Sequence, residues 1–117
     1  MKLREVVSLL EAELLAGEEN LDTDVLAACG SDLMSDVMAY VKENVLLLTG
    51  LVSPQVIRTA EMMDIKVIVF VRGKNLPQNV IDLAKEKGMT VLRTKHPMFI
   101  SCGILYKAGI TGRGVWD

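Results

Sequence analysis

The chain has 117 residues, half of them hydrophobic and 4% aromatic, and a formal net charge of −2. That is one domain's length, with a core built from Leu, Ile, Val and Met. The mild acidity argues against generic nucleic-acid binding, and no apolar run approaches the roughly 20 residues that cross a bilayer.

Leu3, Val6, Val7 and Leu10 recur at helical spacing and predict a short amphipathic helix over residues 2–10. Residues 12–16 read as a strand ended by Gly17, and Glu18-Glu19-Asn20 as a turn. A second strand is expected over 24–29, where Ala27, Ala28 and Gly30 leave room for close packing. Ser31 or Asp32 is expected to cap the next helix. Leu33, Met34, Val37, Met38 and Val41 would form its buried stripe, and Asn44 would end it.

Three similar modules follow. Residues 45–50, 66–71 and 90–94 are apolar, β-rich runs, and each meets a short polar loop and a proline: Pro54, Pro77 and Pro97. Proline suits the first turn of a helix, where its missing N–H would be unpaired anyway. The helices then show Val56, Ile57, Ala60 and Met63; Val80, Ile81, Leu83 and Ala84; and Ile100, Ile104 and Ala108 as their apolar positions. Gly88 stands where a left-handed helix C-cap belongs. Repeated strand–loop–helix units imply crossovers and a parallel sheet. The middle run is apolar throughout, so both its faces should be covered. The expected fold is a three-layer α/β/α sandwich with a mostly parallel sheet of about five strands, a single domain over 1–108. A flexible tail over 109–117 would carry the lone Trp116. The methionines read as flexible core filling.

In open parallel sheets, ligands sit beyond the carboxyl ends of the strands. Three loops should meet there: one from Thr49 to Ser53, a second of Arg72, Gly73, Lys74 and Asn75, and a third of Thr94, Lys95 and His96 with Arg93 at the strand's end. Two of them are basic, and all precede helix N-termini, whose N–H groups attract anions. Charge is skewed the same way. Residues 1–43 hold three Lys/Arg against ten Asp/Glu, and residues 44–117 hold ten against five, so the halves stand near −7 and +5. Solvated faces explain this, and so does a self-complementary surface or an anion site in the second half.

Catalytic signals are weak. Gly73-Lys74-Asn75 fails the Walker pattern, which needs glycine where Ile68 stands and Ser/Thr where Asn75 stands. His96, the only histidine, reads as a helix-start residue, and its six-residue separation from Cys102 does not put the two on one helix face. Cys29 and Cys102 read as buried, reduced thiols. With His96 they are too sparse for a metal site, so no cofactor is expected. Glu11 and Glu13 interrupt any signal-peptide core, and a soluble, cytoplasmic location is expected.

The segments 11–21, 30–38, 45–50 and 82–91, with Thr94, together resemble the DRTGG domain over residues 1–108, a family itself similar to the N-terminal domain of HPr kinase/phosphorylase. The resemblance implies an α/β sandwich that often dimerises, with a regulatory or assembly role rather than a catalytic one. The chain departs from the family's signature: Leu51-Val52 stand at the Asp-Arg pair, and of the Thr-Gly-Gly only Gly73 remains. The resemblance thus carries fold and dimer, not a site. The expected function is non-enzymatic regulation or assembly as a homodimer. The alternative is a sensor of an anionic, phosphorylated or nucleotide ligand at the strand ends.

Overall fold

The structure is a computed structural model that describes residues 1–40 and 45–112, with the Tyr40 side chain left aside. Its elements are α1 (Leu3–Leu9), β1 (Glu13–Ala16), a 3-10 turn (Glu18–Asn20), β2 (Ala27–Gly30), α2 (Met34–Tyr40), β3 (Val45–Thr49), α3 (Pro54–Met62), β4 (Val67–Phe70), α4 (Gln78–Glu86), β5 (Thr90–Arg93) and α5 (Met98–Lys107). The five strands form one sheet in the order β1-β5-β4-β3-β2. β2, β3, β4 and β5 run parallel, and β1 closes the β5 edge antiparallel, with a register shift between Leu14 and Ala16.

Alternation along the strands sends side chains to two cores. Val45, Leu47, Ile68, Phe70 and Val91 meet Met34 and Val37 of α2, Val56, Ile57 and Ala60 of α3, and Val80 and Ala84 of α4. Leu46, Leu48, Val67, Val69 and Leu92 meet Leu3, Val6 and Leu10 at α1 and Leu105 of α5. The expected α/β sandwich with a mostly parallel sheet is therefore what forms. β3 and β4 are buried at every position, as two-sided coverage demands.

Several local expectations are corrected. α2 begins at Met34, and the Leu33 carbonyl accepts its first N–H bonds. Ser31 takes the Leu33 N–H instead, and Asp32 turns away to the next loop. Leu33 and Met38 are 58% and 44% exposed, so the buried stripe of α2 narrows to Met34 and Val37; Val41 and Asn44 lie outside the described residues. β2 starts later than expected, because Asp24 bridges to Lys2 and the Val25 N–H goes to Met1. Pro54 sits in the first turn of α3, but Pro77 and Pro97 occupy the N-cap positions of α4 and α5. On α5 the buried residues are Ser101 and Leu105, not Ile100 and Ala108, which are exposed. Met38 and Met62 are surface residues rather than core filling.

Two close approaches fix the outer elements. Gly17 has φ +85°, and a Cβ there would lie 2.5–2.8 Å from Thr90 Oγ1, Thr90 Cα and the Met89 carbonyl. Only glycine lets the chain leave β1 so near β5. At Gly30, a Cβ would lie 2.8 Å from Cys102 Sγ and 3.1 Å from Met98 Sδ, so α5 rests directly on the end of β2. The packed body runs past residue 108: Ile110 is 3% exposed, and the Ala28 N–H donates to the Thr111 carbonyl along the β2 edge. Trp116 lies outside the described residues.

Val69 is fully buried in the middle of the sheet. Val69→Asp should leave an unpaired carboxylate there, at a cost on the order of 3–5 kcal/mol against a total stability of roughly 5–15. Circular dichroism should show lost or sharply lowered cooperative melting; a variant melting like the parent would refute the central placement of β4.

Candidate functional site

Four loops meet at the carboxyl ends of the parallel strands, one more than the sequence suggests. The additional one follows β2 and carries Asp32. Its Oδ1 accepts the Gly50 N–H at 2.6 Å and the Thr49 hydroxyl at 3.4 Å, and its Oδ2 pairs with Arg72 Nη2 at 3.0 Å. Lys74 Nζ donates to the Gly50 carbonyl. Gly50 is thus held at both its backbone groups, by loops from the strands on either side. It also has to be small, because a Cβ there would lie 2.2 Å from Arg72 Nη2. The guanidinium lies across this residue.

Backbone geometry aims Arg72. Arg72 and Gly73 have φ of +68° and +62°, a region that few residues other than glycine adopt and that often marks functional loops. Their N–H groups donate to the carbonyls of His96 and Thr94 at 2.9 and 2.8 Å. The second loop is therefore zipped to the third by backbone and tied to the first by side chains. Thr94 is buried, and its hydroxyl donates to the Leu10 carbonyl and accepts from the His96 N–H. Thr49, also buried, accepts the Leu51 N–H. Ser53 caps α3 by accepting the Gln55 N–H, whereas no side chain caps α4 or α5. Asn75 is exposed in the second loop.

The basic residues divide into two groups. Arg72 and Lys74 turn toward Asp32 and Gly50. Arg93 pairs with Glu13 on β1, and His96 lies 3.8 Å from Glu11. Lys95 is exposed beside Gly73 and has no anionic partner among the described residues. The Arg72–Asp32 pair is about half exposed on both sides, so it contributes only about 0–1 kcal/mol and can exchange with another anion. Sequence reading missed Asp32, whose spacing before an amphipathic stripe looks like a helix cap. Gly50 at a strand end was the available signal, since a glycine there marks a close approach.

The two thiols are half-buried and unbridged. Burial pushes both upward from the usual thiol range, and for Cys29 the neighbouring Cys102 and Asp36 add to it. They are neutral at physiological pH and poor nucleophiles. Among the described residues no cluster of three or more His, Cys, Asp or Glu could hold a metal ion, and no helix is long and apolar enough to cross a membrane.

Residues 5–106 match the DRTGG domain family. No curated protein matches the sequence. Among solved structures, the chain is similar to the CBS and DRTGG domains of the regulatory region of a Clostridium perfringens pyrophosphatase, complexed with its activator diadenosine tetraphosphate. The TM-score is 0.72 at 16% identity, over 99% of this chain and 50% of that one. At that identity the likeness shows the fold, and this chain spans half the length of its neighbour.

Two measurements test the site's construction. Gly50→Ala should push the guanidinium off its perch and break the exposed pair with Asp32. The obstacle is the end of a flexible side chain, so the melting temperature should fall by no more than about 5 °C, the equivalent of roughly 1 kcal/mol. Loss of the fold would show a rigid contact instead. Alkylation of the native thiols should be slower than in the unfolded chain at pH 8 and should accelerate only as pH climbs above the ordinary thiol range. A raised folded pKa also means that stability, full below the unfolded value, is lost as pH rises through the folded one. Rapid labelling at neutral pH would contradict the raised values.

Proposed function

The chain belongs to the DRTGG domain family, and we propose that it is a non-enzymatic regulatory and assembly domain that acts as a homodimer in the cytoplasm. Family membership and a structural neighbour drawn from an enzyme's regulatory region support this reading. The groups at the strand ends suit recognition rather than bond-breaking: a guanidinium, two ammonium groups, backbone N–H donors, and no activated thiol.

A second reading rests on one observation, the exposed Asp32–Arg72 pair across Gly50. A side-chain carboxylate already occupies Arg72, and a ligand phosphate or carboxylate would replace it there. The proposed sensor site is Arg72, Gly73, Lys74 and Asn75, with Arg93, Thr94, Lys95 and His96 beyond and Thr49 and Ser53 beneath. Its ligand is a small phosphorylated or nucleotide molecule. Arg72, Lys74 and Lys95 supply the charge, the uncapped ends of α4 and α5 supply N–H groups, and buried Thr49 and Thr94 hold the loops in place.

Thermal shift across a panel of nucleotides and phosphorylated metabolites tests it. A ligand should stabilise the parent as RT ln(1 + [L]/Kd). Salt should weaken the effect, since exposed charges are screened within about 10 Å at 0.1 M. Replacing Arg72 and Lys95 together by alanine should abolish it with the fold intact. Asp32→Asn keeps an oxygen for the Gly50 N–H but removes the competing charge, so the same ligand should bind a few-fold tighter, the size expected of one exposed ion pair. An unresponsive parent, or equal stabilisation in the double variant, would remove the sensor reading and leave assembly.

A further inference from the structure

The two edges of the sheet are finished differently. At the β2 edge the chain returns after α5, and Thr111 bridges Ala27 in parallel. At the β1 edge no such cover exists: among the described residues, the backbone of Glu13–Ala16 is bonded only within the sheet. An edge strand turns about half of its N–H and C=O groups away from its one neighbour, and those groups form a template for another strand. Proline, lysine or an outward charge commonly blunts such an edge. β1 has no proline or lysine, and its one charged residue, Glu13, is already paired with Arg93.

A groove of about 350 Å³ lies between this edge and the last turn of α4. Leu14 and Leu15, half-buried, and Ala16 and Met89, buried, give it an apolar floor. Glu18 and Glu19, just past the end of β1, and Lys85 on α4 stand around it. All three charged residues are exposed, and none has an ion pair among the described residues. The surround is therefore net acidic and unspent.

We propose that this groove docks an extended segment of a partner protein, added to the sheet as a further strand beside β1 and carrying lysine or arginine. The proposal goes beyond the regulatory reading and needs neither the dimer nor the ligand site. Strand addition takes its affinity from backbone hydrogen bonds and its specificity from pockets for alternate side chains. Here the apolar floor receives one side chain, and Glu18 and Glu19 receive a basic one. Charge decides between occupants. A second copy lying antiparallel on β1 would set Glu13 of each strand toward Glu18 and Glu19 of the other, and like charges across paired strands oppose pairing. A basic segment meets the same groups with the opposite sign. β1 is only four residues long, so the backbone bonds are few and the complex is weak and exchangeable, as a regulatory contact requires.

NMR titration of the isotope-labelled full chain with capped hexapeptides tests this. A peptide alternating valine and lysine should shift the amide signals of residues 13–19, Lys85 and Met89, with a Kd on the order of 100 µM, the strength that a few backbone bonds and one filled pocket imply. The same peptide methylated at its backbone nitrogens cannot join a sheet and should not bind. A peptide alternating valine and glutamate should leave the parent unchanged. Replacing Glu18 and Glu19 together by lysine should keep the circular dichroism, since both are exposed, weaken the lysine peptide roughly tenfold and admit the glutamate peptide. Equal binding of the methylated peptide would reduce the contact to loose charge attraction and overturn strand addition. Shifts centred on another face, or no binding at roughly 1 mM, would overturn the site. Signals of β1 that move with protein concentration in the absence of peptide would give the edge to a second copy instead.

Discussion

β3 and β4 are buried at every position and apolar at all but Thr49, and a strand of that kind has no face that water can wet. Both faces must be covered, and with parallel neighbours the connecting segments have to cross over to cover them. α2, α3 and α4 take one side; α1 and α5 take the other. Crossing over fixes a second property. Every parallel strand ends at the same edge, so the loops after β2, β3, β4 and β5 converge there. The site is a by-product of the way the core is closed.

What holds that edge together differs in kind from what holds the core. Thr49 and Thr94 are buried, and their hydroxyls have partners; leaving either unpaired would carry a desolvation penalty. Asp32, Arg72, Lys74 and Lys95 are exposed, and the Asp32–Arg72 ion pair among them is individually small. The frame is rigid and the charged groups upon it are exchangeable. That division suits recognition, because a ligand competes with weak pairs and does not have to dismantle the frame. The strained φ of Arg72 fits the same picture. A non-glycine in the left-handed region is retained where its side chain has a specific target, and here the target is the surface above Gly50.

The strands were legible because their signal is local. A β-rich run bounded by Gly, Pro or polar loops reads the same with or without neighbours, and 45–50, 66–71 and 90–94 all appear within a residue or two of where pattern places them. Helix faces were legible where a helix is amphipathic, as in α3 and α4. In α5 they were only partly so: Ile104 packs against the core, but apolar residues occupy both sides, so the exposed Ile100 and Ala108 matched a helical stripe as well as the true inward set around Ser101 and Leu105. Serine at the most buried position is the feature pattern could not anticipate. It lies under the third loop, where its hydroxyl donates to the His96 carbonyl. Asp32 was illegible for another reason. Its partners are Gly50 and Arg72, 18 and 40 residues away, and only the order of the strands brings them together.

The third loop joins the strand-end site to α5. Arg72 and Gly73 are hydrogen-bonded through their backbones to His96 and Thr94, and one residue beyond His96 lies Pro97, the cap of α5. A group that binds Arg72 therefore acts on a segment zipped to the start of α5. Proximity alone is not coupling. Allostery requires that the ligand have different affinity for paired and unpaired chains, and linkage then makes the effect reciprocal: pairing must change ligand affinity by the same factor. The weak terms identified here are of the right size for that. An exposed ion pair lies within about 1 kcal/mol of balance, so a modest differential affinity would shift the population, whereas the two-sided core would be left untouched.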